Sequence, residues 1–245
     1  MDHQELTEWL RGLAGEIRRT KRGYPDNVLR GCPIPFFGDV LKARVLTVGV
    51  NPSSGEFAQS RLWGNTLVVP HWQERLLNYF NWPEVPAHEW FETWSISLEL
   101  IRVSYSAGSA AHLDISPRPT KAMFKNNDTN HPEFRAMVEH DVKWFFELLS
   151  KLPQVQLLLV AGPIPRANGT KQQLADFIRR EAENHGTEWD GVEPMPMLIT
   201  PSCPEGIPVF VCPYEPKVDG LYAMVRQVHR NRELLRRASA SEGIG

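Results

Sequence analysis

Asn51 stands directly after a short apolar run, VLTVGV at 45–50, and opens the stretch Asn51-Pro52-Ser53-Ser54-Gly55-Glu56-Phe57. An asparagine amide both donates and accepts hydrogen bonds. Pro52 restricts the chain at that point, and Gly49 lets a ligand come close to the backbone. An aromatic ring at Phe57 can stack on a flat ligand. A second group lies in AAHLDI at 110–115, which runs into Ser116-Pro117-Arg118-Pro119-Thr120-Lys121. Side chains alternate across a strand, so His112 and Asp114 share one face, with the carboxylate close to the strand end. An ionised carboxylate only accepts, and therefore suits a ligand that offers an amino group or an N–H. His112 by itself reads equally as a core histidine satisfied within the fold. Arg118 and Lys121 beside rigid prolines suit phosphate oxygens, or are ordinary solvated charges.

Two more loops follow apolar runs. Gly162-Pro163-Ile164-Pro165-Arg166 leads to Gly169-Thr170-Lys171. That spacing is too long for a nucleoside-triphosphate loop, and the two prolines remove cradle N–H groups. Anion contact at the start of the next helix stays open. The last loop is Cys212-Pro213-Tyr214-Glu215-Pro216-Lys217. The chain contains no GxSxG elbow, no HExxH and no GxGxxG after a strand. Its three cysteines, Cys32, Cys203 and Cys212, form no CxxC pair, and its histidines show no ligand spacing. Neither a metal nor a cofactor is expected.

The elements that must carry these loops alternate. Leu6, Leu10, Leu13 and Ile17, with Trp9, predict a helix over 4–19. The stretch GYPDNVLRGCPIPFFGD at 23–39 is expected to be loop throughout. Strands are predicted at 45–50, 110–115 and 155–161, with a possible pair at 197–200 and 207–211. Helices are predicted near 72–80, 87–103, 132–152 and 170–184, the last opened by Thr170 as a cap. A final helix is expected to be capped by Asp219, before a frayed tail. Strands of buried type between helices imply βα units and a mainly parallel sheet covered on both faces. Ligands bind such sheets at the carboxyl ends of the strands, where all four loops fall.

Composition limits the rest. With 245 residues, 42% hydrophobic and 23% charged, the chain suits one domain with a sizeable core: a helix and Pro-rich loop over 1–43, an α/β core over 44–237 and a tail over 238–245. The longest apolar run is too short to span a membrane, and the N-terminus lacks a signal-peptide pattern. A soluble, cytoplasmic monomer is expected, with no membrane partner. The net charge of −2 argues against a protein that coats nucleic acid non-specifically. Basic residues cluster at 18–22 and 226–237, where solvated helix ends are the plain explanation.

Taken together, the loops resemble the uracil-DNA glycosylase superfamily. VLTVGVNPSSGEF is similar to its first motif, a strand followed by Gly-x-Asn-Pro, in the style of the mismatch-specific and single-strand-selective branches. HLDISPRPTK is similar to the second-strand segment of the mismatch-specific branch, and the helix at 132–152 followed by QLLLVAG matches in order. The resemblance covers roughly residues 40–235 and implies a three-layer α/β/α sandwich around a central, mainly parallel four-stranded sheet. It also implies a base-flipping enzyme of DNA. Asn51 would position the attacking water and Asp114 would face the base edge, the two as catalytic residues. Gly49, Val50, Pro52, Ser53, Phe57 and His112 would line the base pocket. Arg118, Thr120, Lys121, Arg166, Cys212, Pro213, Tyr214 and Lys217 would meet DNA.

The sequence departs from that pattern twice. The last motif, a His-Pro-Ser type loop, reads Cys212-Pro213-Tyr214 here, with Thr200-Pro201-Ser202 as a rival candidate. At the second strand end many members carry an asparagine that reads uracil, whereas this chain has Asp114. A carboxylate repels O4 of uracil and accepts from the exocyclic amine of cytosine, which points to a cytosine derivative such as a modified cytosine of invading phage DNA. Two other readings stay open: a non-catalytic DNA-binding or sensing module on the same scaffold, and a small-molecule hydrolase or nucleoside-processing enzyme.

Overall fold

The computed structural model describes residues 1–20, 33–52, 69–82, 87–120, 132–165, 171–190 and 196–212. Helix α1 (His3–Arg19) starts at a capping box. Asp2 accepts from the Gln4 and Glu5 amides at 2.8 and 2.9 Å, and the Asp2 amide donates to Glu5 Oε2 at 2.8 Å. Such reciprocal capping satisfies amides that a helix start leaves without partners. The helix buries Leu6, Trp9, Leu10, Leu13 and Ala14, the face its periodicity predicts.

Strand β1 (Phe36–Phe37) lies inside the stretch expected to be loop throughout. Two buried phenylalanines among prolines are enough to pair at a sheet edge, and β1 joins the later strand Ala110–Asp114 antiparallel. Then come β2 (Val45–Gly49), α2 (Val69–Leu77), a single 3-10 turn (Tyr79–Asn81) and α3 (Glu89–Leu100). Strand β3 (Ala110–Asp114), α4 (Pro132–Leu149) and β4 (Leu157–Ala161) follow. Pro132 opens α4, where a missing N–H costs nothing, and Phe134, Val138, Val142, Phe145 and Leu149 are all buried.

A small ribbon, β5 (Pro163–Pro165) paired with β6 (Lys171–Gln173), comes next. It precedes α5 (Leu174–Ala182), whose cap position is Gln173. Thr170 is therefore not the cap: pairing with β5 holds 171–173 extended. Gly162, at φ +98°, makes the turn out of β4, a conformation that favours glycine. Strands β7 (Glu188–Asp190), β8 (Met197–Thr200) and β9 (Cys203–Cys212) complete the described elements. The expected pair is present as the β8–β9 hairpin, with β9 beginning four residues earlier than its apolar run.

The protein is a mixed α/β fold. The main sheet has seven strands in the order β1-β3-β2-β4-β9-β8-β7, not the expected four. The four strands β3, β2, β4 and β9 run parallel, and β1, β8 and β7 extend the sheet antiparallel at its edges. Every residue of β2, β3 and β4 is buried, as a parallel sheet flanked by helices requires. Chain direction across the sheet reverses at β2, with β3 laid on one side and β4 on the other. In open α/β sheets ligands bind outside the carboxyl ends of the strands at such a reversal of strand order. No helix among the described residues is long and apolar enough to cross a membrane.

Candidate active site

Parallel register places Thr47 beside His112 and Gly49 beside Asp114. Positions two apart share a face, so these four residues form one patch at the carboxyl ends of β2 and β3. Phe91 of α3 and Phe37 of β1 pack their rings at 5.3 and 6.1 Å from the His112 ring. The patch is buried: His112 is 2% and Asp114 4% exposed.

Within it runs a chain of polar contacts. Tyr105 Oη lies 2.6 Å from Thr47 Oγ1, and Thr47 Oγ1 lies 2.8 Å from His112 Nδ1. His112 Nε2 is 3.5 Å from Asp114 Oδ1. Asp114 Oδ2 is buried and has no hydrogen-bond partner among the described residues. Burial pushes the Asp114 carboxyl above its ordinary range, while the neighbouring His112 pulls it back down. An orphaned buried carboxyl oxygen is costly, and it is the kind of group that a ligand satisfies.

Gly49 is where this patch meets the backbone of β2. A Cβ there would stand 2.8 Å from both Asp114 Oδ1 and His112 Nε2. Only a residue without a side chain fits.

Asn51 is fixed by the loop it opens. Its Nδ2 donates to the Pro52 carbonyl at 3.0 Å, to Thr120 Oγ1 at 3.1 Å and to the Arg118 carbonyl at 3.3 Å. Two carbonyl oxygens, which can only accept, stand at one end of the amide and assign that end as the nitrogen. The Asn51 carbonyl oxygen is thereby the end left to accept from a ligand or a water. The loop after β3 is tied to the loop after β2 by three backbone bonds: Ile115 to Gly49, Ser116 to Val50, and Thr120 to Pro52, at 2.8 to 3.1 Å.

The structure thus brings Gly49, Val50, Asn51, Pro52, His112, Asp114 and Thr120 together at one end of the sheet. It corrects Arg118 and Thr120 as contacts to DNA. Arg118 is 2% exposed; its Nε donates to Asp141 Oδ2 at 2.8 Å and its Nη2 to Thr20 Oγ1 at 2.8 Å. Ser116 Oγ donates to the same Asp141 oxygen at 2.6 Å. Arg118 is an internal tie from the β3 loop to α4 and the end of α1. Thr120, 1% exposed, holds Asn51. Cys212 ends β9 beside Ala161, at the carboxyl end of the parallel strands. Thr200-Pro201-Ser202 instead forms the β8–β9 turn, opposite the start of β9. With ten residues in β9, about 30 Å of strand separates that turn from Cys212, which removes it as a candidate last motif.

Ser53, Phe57, Lys121, Arg166, Pro213, Tyr214 and Lys217, and the helix capped by Asp219, lie outside the described residues. Sequence reasoning passed over Thr47, Tyr105, Ser116 and Asp141. Thr47 had a signal, since it sits two residues before Gly49 in a strand and so shares its face. Tyr105 and Asp141 had none, because their role depends on long-range packing.

Among the described residues no group of three or more histidines, cysteines or carboxylates is placed to hold a metal. A groove of about 540 Å³ between α1 and α2 involves His3, Thr7, Arg11 and Gln73 and none of the residues above. No protein-family model matches the sequence, and a search of curated proteins returns no match.

Proposed function

We propose that the protein is a monofunctional DNA glycosylase that hydrolyses the N-glycosidic bond of a flipped-out, non-standard pyrimidine and leaves an abasic site. One observation carries the reading. Asn51, its amide locked through Nδ2, stands at the same strand ends as a buried Asp114 whose Oδ2 has no partner among the described residues. Glycosidic hydrolysis needs those two functions side by side: an acceptor that orients water toward the sugar carbon, and a fixed polar group on the edge of the departing base. Extruding a nucleotide costs a few kcal/mol of unstacking and unpairing, and preorganised dipoles then stabilise the charge that develops on the base. The resemblance of both loops to the uracil-DNA glycosylase superfamily, with its α/β/α sandwich, supports the same assignment.

Asp114 favours a cytosine derivative, such as a modified cytosine of phage DNA. Ionised, this carboxyl accepts from the 4-amino group of cytosine and repels O4 of uracil; protonated on Oδ2 it would donate to O4 instead, so the preference rests on the ionised form. The test is base release from oligonucleotides carrying uracil, thymine mismatches, hypoxanthine, and hydroxymethylated or glucosylated cytosine. Alkaline cleavage reads the abasic sites. Release of a modified cytosine in preference to uracil is expected. Silence across the panel with DNA still bound would favour a binding module, and turnover of free nucleosides would favour a small-molecule hydrolase.

A further inference from the structure

We propose that Tyr105 and Thr47 are positioning residues that hold His112 in the tautomer with its hydrogen on Nε2, so that a buried hydroxyl relay presents an N–H donor beside Asp114. The use of that donor in reading a base rests on the glycosylase assignment; the tautomer does not.

The Tyr105 phenol is 5% exposed, and burial pushes its ionisation far up, so it keeps its hydrogen. Thr47 Oγ1, at 2.6 Å, is the one hydrogen-bond partner of Tyr105 Oη among the described residues, so that hydrogen goes there. Thr47 in turn has one hydrogen and two acceptors in reach: His112 Nδ1 at 2.8 Å and the Ala111 carbonyl at 3.5 Å. The shorter contact wins, since hydroxyl hydrogen bonds lie near 2.7–2.8 Å. Nδ1 is then an acceptor, and a neutral imidazole carries its hydrogen on the other nitrogen. The opposite tautomer would send the Thr47 hydrogen to the distant carbonyl. It would also leave the Nε2 lone pair facing Asp114 Oδ1, 3.5 Å away.

An Nε2–H next to Oδ1 fixes which carboxyl oxygen faces the histidine. It leaves Oδ2, the oxygen without a described partner, for the ligand. Thr47 and Tyr105 touch no ligand in this account; they act through His112.

The experiment is long-range proton–nitrogen correlation NMR on the ¹⁵N-labelled 245-residue chain at neutral pH, with the His112 signals assigned by their loss in His112→Gln. The expected spectrum shows an N–H at Nε2 and a bare, pyridine-type Nδ1. Thr47→Val is expected to shift this pattern toward a tautomer mixture, and Thr47→Ser to restore it. An Nδ1–H or a doubly protonated ring in the native protein overturns the proposal. So does an unchanged spectrum in Thr47→Val; should that variant fail to fold, the native and Thr47→Ser spectra decide alone. In base release, Thr47→Val is expected to narrow the preference among bases about tenfold and Tyr105→Phe to do so by less. A native protein that releases no base contradicts the glycosylase reading and leaves the tautomer result standing.

Discussion

Gly49 and Asp114 are register partners on neighbouring parallel strands, so close that a Cβ on Gly49 would lie 2.8 Å from Asp114 Oδ1. The absence of a side chain on one strand is what lets the carboxyl of the other lie against the backbone. Gly49→Ala therefore forces the buried Asp114–His112 pair to move. Overpacking of this kind costs about 1–3 kcal/mol, and urea unfolding should show a loss in that range. Base release should fall further than the stability loss explains. A variant with native stability and native release would mean that the pair is not held against β2.

The Arg118–Asp141 pair ties the site loop to the core. Arg118 is 2% and Asp141 0% exposed, and removing one member of a buried pair leaves an uncompensated charge at a cost of about 3–5 kcal/mol. Asp141→Ala should lower stability by that amount, and the urea midpoint reads it. Arg118→Ala should not change the salt dependence of DNA binding per contact, because the guanidinium faces inward. A reduced salt slope would restore Arg118 as a phosphate contact.

Asp114 also makes a pH prediction. Its carboxyl is raised in the folded protein by burial. Below its ordinary range both folded and unfolded chains hold the proton. As pH rises, the unfolded chain releases it first, so the contribution of Asp114 to stability is lost as pH climbs through the raised folded value. Relative to the native protein, Asp114→Asn should gain stability as pH is raised above the ordinary carboxylate range. Urea titrations at several pH values test this, and a constant difference would contradict it.

The β8–β9 turn lies at the far end of the sheet from Asn51. Ser202, whose hydroxyl contacts Thr200 Oγ1 at 3.2 Å within that turn, is therefore not part of the site. Ser202→Ala should release base at the native rate within about twofold. A tenfold loss would place the last motif there after all.

Much of this fold is legible in local pattern. Short apolar runs closed by proline marked β2, β3 and β4, and the helical spacing of Leu6, Leu10 and Leu13 marked α1. The misses share a physical cause. Phe36–Phe37 reads as loop because prolines surround it, yet it pairs with Leu113 and His112 far along the chain. Residues 171–173 read as helix start, yet pairing with β5 keeps them extended. The site was legible where period-two alternation decides, as for Asp114 and His112. It was not legible for Arg118, whose charge suggested solvent or phosphate while Asp141, from a helix further along the chain, drew it inside. Nor could local pattern reach Tyr105, which comes to His112 only through Thr47.

If Asn51 and Asp114 form a glycosylase site, Asn51→Ala must disable it. The substitution removes the acceptor for water together with the Nδ2 bonds to Thr120 and the Arg118 carbonyl, so a stability loss of about 1–3 kcal/mol is expected while the β2–β3 ladder holds the fold. The measurement is single-turnover base release from the best oligonucleotide of the panel, native protein against Asn51→Ala. A fall of at least about a hundredfold is expected, the scale of losing a group that positions or stabilises the transition state. Release at the native rate by the variant would contradict it.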